Sequence, residues 1–81
     1  MREPAILNNP VKDCLLVKVE THEAQHMQYI IADIHGCEVC TGRHKDQTGI
    51  IPIDVDFLKR GMYMLFLVSE TAYYLQTFIK S

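Results

Sequence analysis

Apolar residues recur along this chain with a period of two, the spacing of strands, rather than 3.6, the spacing of helices. From Cys14 onward, Leu15, Val17 and Val19 alternate with Leu16, Lys18 and Glu20, which suits a half-buried antiparallel strand. Ahead of it, Ala5-Ile6-Leu7 predicts a short edge strand, ended by the turn signal Asn8-Asn9-Pro10. Thr21 to Gln25 reads as a loop. Met27 to Ile34 is apolar on both faces and predicts a strand covered on both sides, and His35-Gly36 turns the chain into a short strand over Cys37 to Thr41. The polar run Gly42 to Thr48 predicts the longest loop. Ile51, Ile53 and Val55 then alternate with Pro52, Asp54 and Asp56, and Pro52 predicts an edge strand or a place near a strand's start. Phe57-Leu58 closes the run and Lys59-Arg60-Gly61 turns it. Met62 to Val68 is continuously apolar, as a central strand is. Ser69-Glu70-Thr71 gives the last turn and Tyr73 to Ile79 the last strand.

Six or seven short strands separated by turn signals predict an all-β fold, an immunoglobulin-like antiparallel β-sandwich. The 81 residues hold one domain, residues 1–81, with a thin core. That weighs against a large catalytic cleft. The formal net charge of -2 and the scattered Lys and Arg residues argue against nucleic acid as a partner. Only Arg43 to Lys45 and Lys59-Arg60 form small basic groups, both in expected turns. No apolar run reaches the roughly 18 residues of a membrane span, so direct membrane insertion is not expected. The residues after Met1-Arg2-Glu3-Pro4 hold no apolar signal-peptide segment.

Candidate chemistry changes this picture little. His35, Cys37, Cys40 and His44 are residue types that bind zinc, but residues three apart in a strand point to opposite faces, so the two thiols diverge. No helical pattern follows them, as a redox Cys-x-x-Cys would need. Cys14, Cys37 and Cys40 are expected to be packing residues in or near the core. His22 and His26 fall in the expected loop. Ser69, His35 and Asp33 have nothing to bring them together as a hydrolytic set. Asp54 and Asp56 share one strand face, where outward charge blocks edge-to-edge aggregation. Neither a catalytic residue nor a metal or other cofactor is expected. Most of Tyr63, Phe66, Tyr73, Tyr74 and Phe78 are expected in the core, with Tyr63 bonding back to the backbone as a tyrosine corner does.

Three local patterns stand in one order. Leu7-Asn8-Asn9-Pro10 opens the chain, Ala32-Asp33-Ile34-His35-Gly36-Cys37-Glu38-Val39 lies in the middle, and Ile53-Asp54-Val55-Asp56-Phe57-Leu58-Lys59-Arg60-Gly61-Met62-Tyr63 precedes a final strand ending in Lys80. Together they resemble the type A C-terminal sorting domains of the type IX secretion system of Bacteroidetes, with their "YDxxGxxV" and "IDxxxLxxGxY" segments. The matching residues are Asn9, Pro10, Asp33, Gly36, Val39, Ile53, Asp54, Leu58, Gly61, Tyr63 and Lys80. Asn8 replaces a proline of the family pattern and Ala32 a tyrosine. Gly36 and Gly61 are expected at positive φ. Leu58 is expected to plug one end of the sandwich.

The resemblance implies a non-enzymatic address label. A passenger carrying such a domain reaches the periplasm, and the outer-membrane translocon recognises the domain through the last two strands and Ile79-Lys80-Ser81. A surface sortase then removes it, leaving the passenger on the cell surface or outside the cell. With no passenger and no signal peptide in view, the sequence reads as an excised domain, an orphan reading frame, or a relative that kept the fold and lost the task. An edge strand also offers a route to a homodimer. The alternative is a stand-alone immunoglobulin-like binding or adhesive module, which an exposed aromatic face among Tyr73, Tyr74 and Phe78 would favour.

Overall fold

The computed structural model describes residues 4–19, 27–44, 49–70 and 72–81. The expected loop at Thr21 to Gln25, with His22 and His26, lies outside the described residues, as do Glu20, Lys45 and Thr71. Among the described residues there are seven strands and no helix: β1 (Ala5–Ile6), β2 (Cys14–Lys18), β3 (Gln28–Asp33), β4 (Glu38–Arg43), β5 (Ile50–Asp54), β6 (Gly61–Val68) and β7 (Tyr73–Lys80). They form a three-stranded sheet, β1-β2-β5, and a four-stranded sheet, β4-β3-β6-β7, with every strand pair antiparallel. The chain crosses between sheets after β2, β4 and β5, the habit of an immunoglobulin-like sandwich.

The period of two sets the core. Leu15 and Val17 of β2, Ile51 and Ile53 of β5, Ile31 of β3, Leu65 and Leu67 of β6 and Phe78 of β7 are all buried between the sheets. Val11, Val19, Met27, Val55 and Leu58 close the same cluster from the loops. Alternate residues such as Lys18, Pro52 and Asp54 face solvent, so slipping β2 or β5 by one residue would expose its buried set.

Several expectations are corrected, three of them in the larger sheet. The fourth strand runs through Gly42 and Arg43, because Tyr29 pairs with Gly42 and Gln28 with Arg43. A Cβ on Gly42 would fall against the Tyr29 ring, so the glycine lets that aromatic fold over its neighbour strand. Arg43 therefore belongs to a strand rather than a turn. Secondly, β3 is flanked by β4 and β6 but is covered on its outer face only in part: Ala32 is buried, Ile30 half-buried and Gln28 exposed. Ile34 lies beyond the strand, 65% exposed. Thirdly, only Tyr63 and Phe78 of the five named aromatics are core residues. Tyr74 packs against the core from its margin, and Tyr73 is exposed.

Of the edge strands, β5 carries Pro52, as expected. Asp54 and Asp56 are not a pair on one strand. The strand ends at Asp54, whose Oδ1 accepts a 3.0 Å hydrogen bond from the Asp56 amide and so starts the following turn. Cys37 is exposed rather than a packing residue, whereas Cys40 packs against the core. All three cysteines are free.

Candidate functional site

One end of the sandwich is made by the β1–β2 loop, the β3–β4 turn, the β5–β6 loop, the start of β6 and the end of β7. The register brings them together: Asp33 lies opposite Tyr63, Tyr63 opposite Phe78, Gly61 opposite Lys80, and Cys14 opposite Asp54. The family-pattern residues, scattered from position 9 to position 80, gather at or beside this pole.

Several of them, and Asn8 beside them, bond the pole's own backbone. Asn8 spans the first loop, donating from Nδ2 to the Cys14 carbonyl at 2.7 Å and accepting from the Leu16 amide at 3.0 Å. After it, the Asn9-Pro10 peptide is cis. Asn9 Oδ1 accepts from the Ile79 amide at 2.9 Å. The Val11 amide donates to the Ile79 carbonyl at 2.7 Å, and the Ser81 amide returns to Val11 at 2.8 Å. The loop is thus stitched to the last strand, and Val11 is fully buried beneath it.

Asp33 closes the β3–β4 turn. Its Oδ1 accepts from the amides of His35 and Cys37, both at 2.9 Å, a use that needs a short acidic or amide side chain. Gly36 completes the turn at φ 84°, in the left-handed region, with open space where a Cβ would stand. Its requirement is therefore conformational rather than steric. Gly61, at φ 151°, also takes a positive value as the first residue of β6.

In the β5–β6 loop, the Val55 amide bonds the Asp13 carbonyl and the Leu58 amide bonds Val55. Leu58 turns inward, 8% exposed, and plugs the pole. Tyr63 Oη donates to the Lys59 carbonyl at 2.7 Å, which makes the tyrosine corner, and its ring stacks on Phe78 at 5.7 Å. Lys80 departs from the expectation of a terminal basic surface group: it is buried, with Nζ 3.3 Å from the Ser81 carbonyl.

The outside of the pole carries exposed charged residues, Lys12, Asp13, Glu38, Asp56, Lys59 and Arg60, and large apolar ones beside them. Ile34, Val39, Phe57, Met62 and Ile79 are all exposed there. Asp33, Val39, Phe57, Leu58, Lys59 and Tyr63 line an open concavity of about 400 Å³. The polar groups of its lining serve the pole's own backbone: the Asp33 carboxylate accepts from two amides and the Tyr63 hydroxyl donates to the Lys59 carbonyl. Such a surface suits contact with an apolar protein side chain.

The other expected constellations separate. Ser69 follows the far end of β6, whereas Asp33 and His35 sit at its start, about 20 Å away at the rise of a strand. No group of three metal-ligating residues occurs among the described residues. Phe78 is buried and Tyr73 alone of the late aromatics stands out, so the aromatic face that would mark a binding module does not form. The exposure of Ile34, Phe57 and Met62 is not legible in the sequence, where each reads as part of a strand or turn. The nearest signal is large apolar residues inside turn segments.

A family model described as Secretion system C-terminal sorting domain matches residues 6–81. No curated protein matches the chain.

Proposed function

Because the chain belongs to the secretion system C-terminal sorting domain family, the C-terminal signals of type IX secretion, we propose that its motif pole is the face read by the outer-membrane translocon. The domain's task is that of a sorting signal, and domains of this family occur on proteins bound for the cell surface or the extracellular space. Its partners are proteins of the secretion machinery. On our reading the translocon engages the folded domain in the periplasm, and a surface sortase later cuts it from its passenger. The domain contributes a surface and no reaction of its own.

The observation that carries this reading is the coincidence of two features at one pole. Family-pattern residues fix the backbone of three loops there, and large apolar residues, Ile34, Val39, Phe57, Met62 and Ile79, stand exposed on its outside. An exposed apolar patch on a small domain is characteristic of a contact surface. The expected recognition residues shift accordingly: Ile79 remains, Lys80 turns inward, and the β3–β4 turn and the β5–β6 loop join.

The test is export of a fluorescent reporter joined ahead of residues 1–81, behind a signal peptide, in a type IX-competent bacterium and in a strain lacking the translocon. Export that needs the translocon is expected, and Phe57→Asp or Ile34→Asp should cut it about tenfold or more. Both side chains are exposed, so the melting temperature of the domain should hardly change. Full export of both variants would move recognition away from this pole, and export in the translocon-deficient strain would overturn the sorting role.

A further inference from the structure

Three of the four sheet edges carry protection against pairing. β1 is only two residues long. β5 presents Pro52 and Asp54, and β4 carries Glu38 and Arg43 beside a register shift opposite Ile31 and Ala32. Such devices keep edges from pairing with other chains. The fourth edge, β7, has none of them: Tyr73 to Ile79 contains no charge and no proline.

The register shows which groups this edge offers. Ile79 turns its amide and carbonyl away from β6, toward Asn9 and Val11. In an antiparallel ladder such outward residues alternate, so Tyr73, Leu75 and Thr77 also direct their amides and carbonyls to the open edge. Among the described residues no partner meets them. Gln76, on the inward side, bonds the Pro4 carbonyl instead. The open stretch ends at Thr77, because Ile79 is already taken by the first loop.

We propose that β7 pairs with β7 of a second copy, antiparallel about a two-fold axis through Leu75. Leu75 then faces the partner's Leu75, and Tyr73 faces the partner's Thr77. Three outward residues per strand give about six hydrogen bonds, and every open edge group finds one. The match is self-complementary, as a two-fold interface requires. No charge lies on the paired stretch, so no like charges meet across the axis. On the outer face Tyr73 is already held against Phe66, ring centroids 6.0 Å apart, which continues an apolar stripe through Leu75 into the partner. The two four-stranded sheets become one of eight strands.

Sedimentation velocity of the 81-residue chain from ~10 µM to ~1 mM tests this. An area below the roughly 1,200 Å² of a standard interface implies a dimer that builds up only in the upper part of that range. Leu75→Lys, at a half-exposed position, should keep the melting temperature and weaken the dimer about tenfold by placing two ammonium groups across the axis. In a chain with Cys14, Cys37 and Cys40 replaced by Ala, Leu75→Cys should form a disulfide-linked dimer under mild oxidation. Paired residues there lie about 5.5 Å apart at Cα, within disulfide reach. Ile79→Cys should not cross-link. A chain that stays monomeric to ~1 mM overturns the proposal, as does a dimer that Leu75→Lys leaves intact. Neither result touches export: a monomer exported normally removes the dimer and leaves the sorting role standing.

Discussion

Tyr63 reaches back four residues to place its hydroxyl 2.7 Å from the carbonyl of Lys59, while its ring lies on Phe78 of the neighbouring strand. One side chain thus fixes the exit of the β5–β6 loop and the end of the last strand together. Tyr63→Phe keeps the stack and loses the bond, leaving a partly buried carbonyl short of a partner. The expected loss is about 1–2 kcal/mol, seen as a lower urea midpoint with an unchanged slope. A variant as stable as the parent would mean the corner does not support the fold.

Asn9 and Ile79 are separated by 70 positions and joined by one hydrogen bond. Asn9→Ala removes the acceptor for the Ile79 amide, whereas Asn9→Asp keeps one. Loosening is expected at the end of β7, with hydrogen exchange at Ile79 about fivefold faster, equivalent to ~1 kcal/mol of local stability. The Asp variant should exchange close to the parent rate. Equal exchange in the parent and the Ala variant would show that the Val11 bonds hold this end unaided.

The margin of the core titrates on the alkaline side. Burial raises the Cys40 thiol above its ordinary value, and the Asp54 carboxylate raises it further. Burial likewise raises the Tyr29 phenol, with Cys40 adding to it. The folded chain therefore holds these protons more tightly than the unfolded chain does. That contribution is fully present below the unfolded thiol value of about 8.5 and is lost as pH rises through the folded one, with Tyr29 following above about 10. The melting temperature should fall from about pH 8.5 upward, and Cys40→Ala should remove the first part of the fall. An identical alkaline profile in that variant would rule the thiol out as its source.

Much of the fold was legible because strand alternation is a local property. The pattern at Leu15-Val17 and Ile51-Ile53 fixes which face is buried, and Pro52 marks an edge wherever its neighbours lie. The turn roles of Gly36 and Gly61 were legible for the same reason, since φ is a property of the residue itself. Boundaries were less so. Gly42 and Arg43 look like loop residues, and they are strand because β3 supplies partners and the Tyr29 ring covers the glycine.

By its alternation, turn residues and motif order, the sequence determined that this chain would form a sandwich of short strands and which residues would carry the family pattern. The tertiary structure alone decided that those residues meet at one pole, that Lys80 turns inward while Phe57 and Ile34 stay outside, and that β7 is the unprotected edge. The physical reason is that exposure and edge position depend on which strands lie alongside one another. That pairing is settled by contacts between residues as far apart as Asn9 and Ile79, which no local pattern contains.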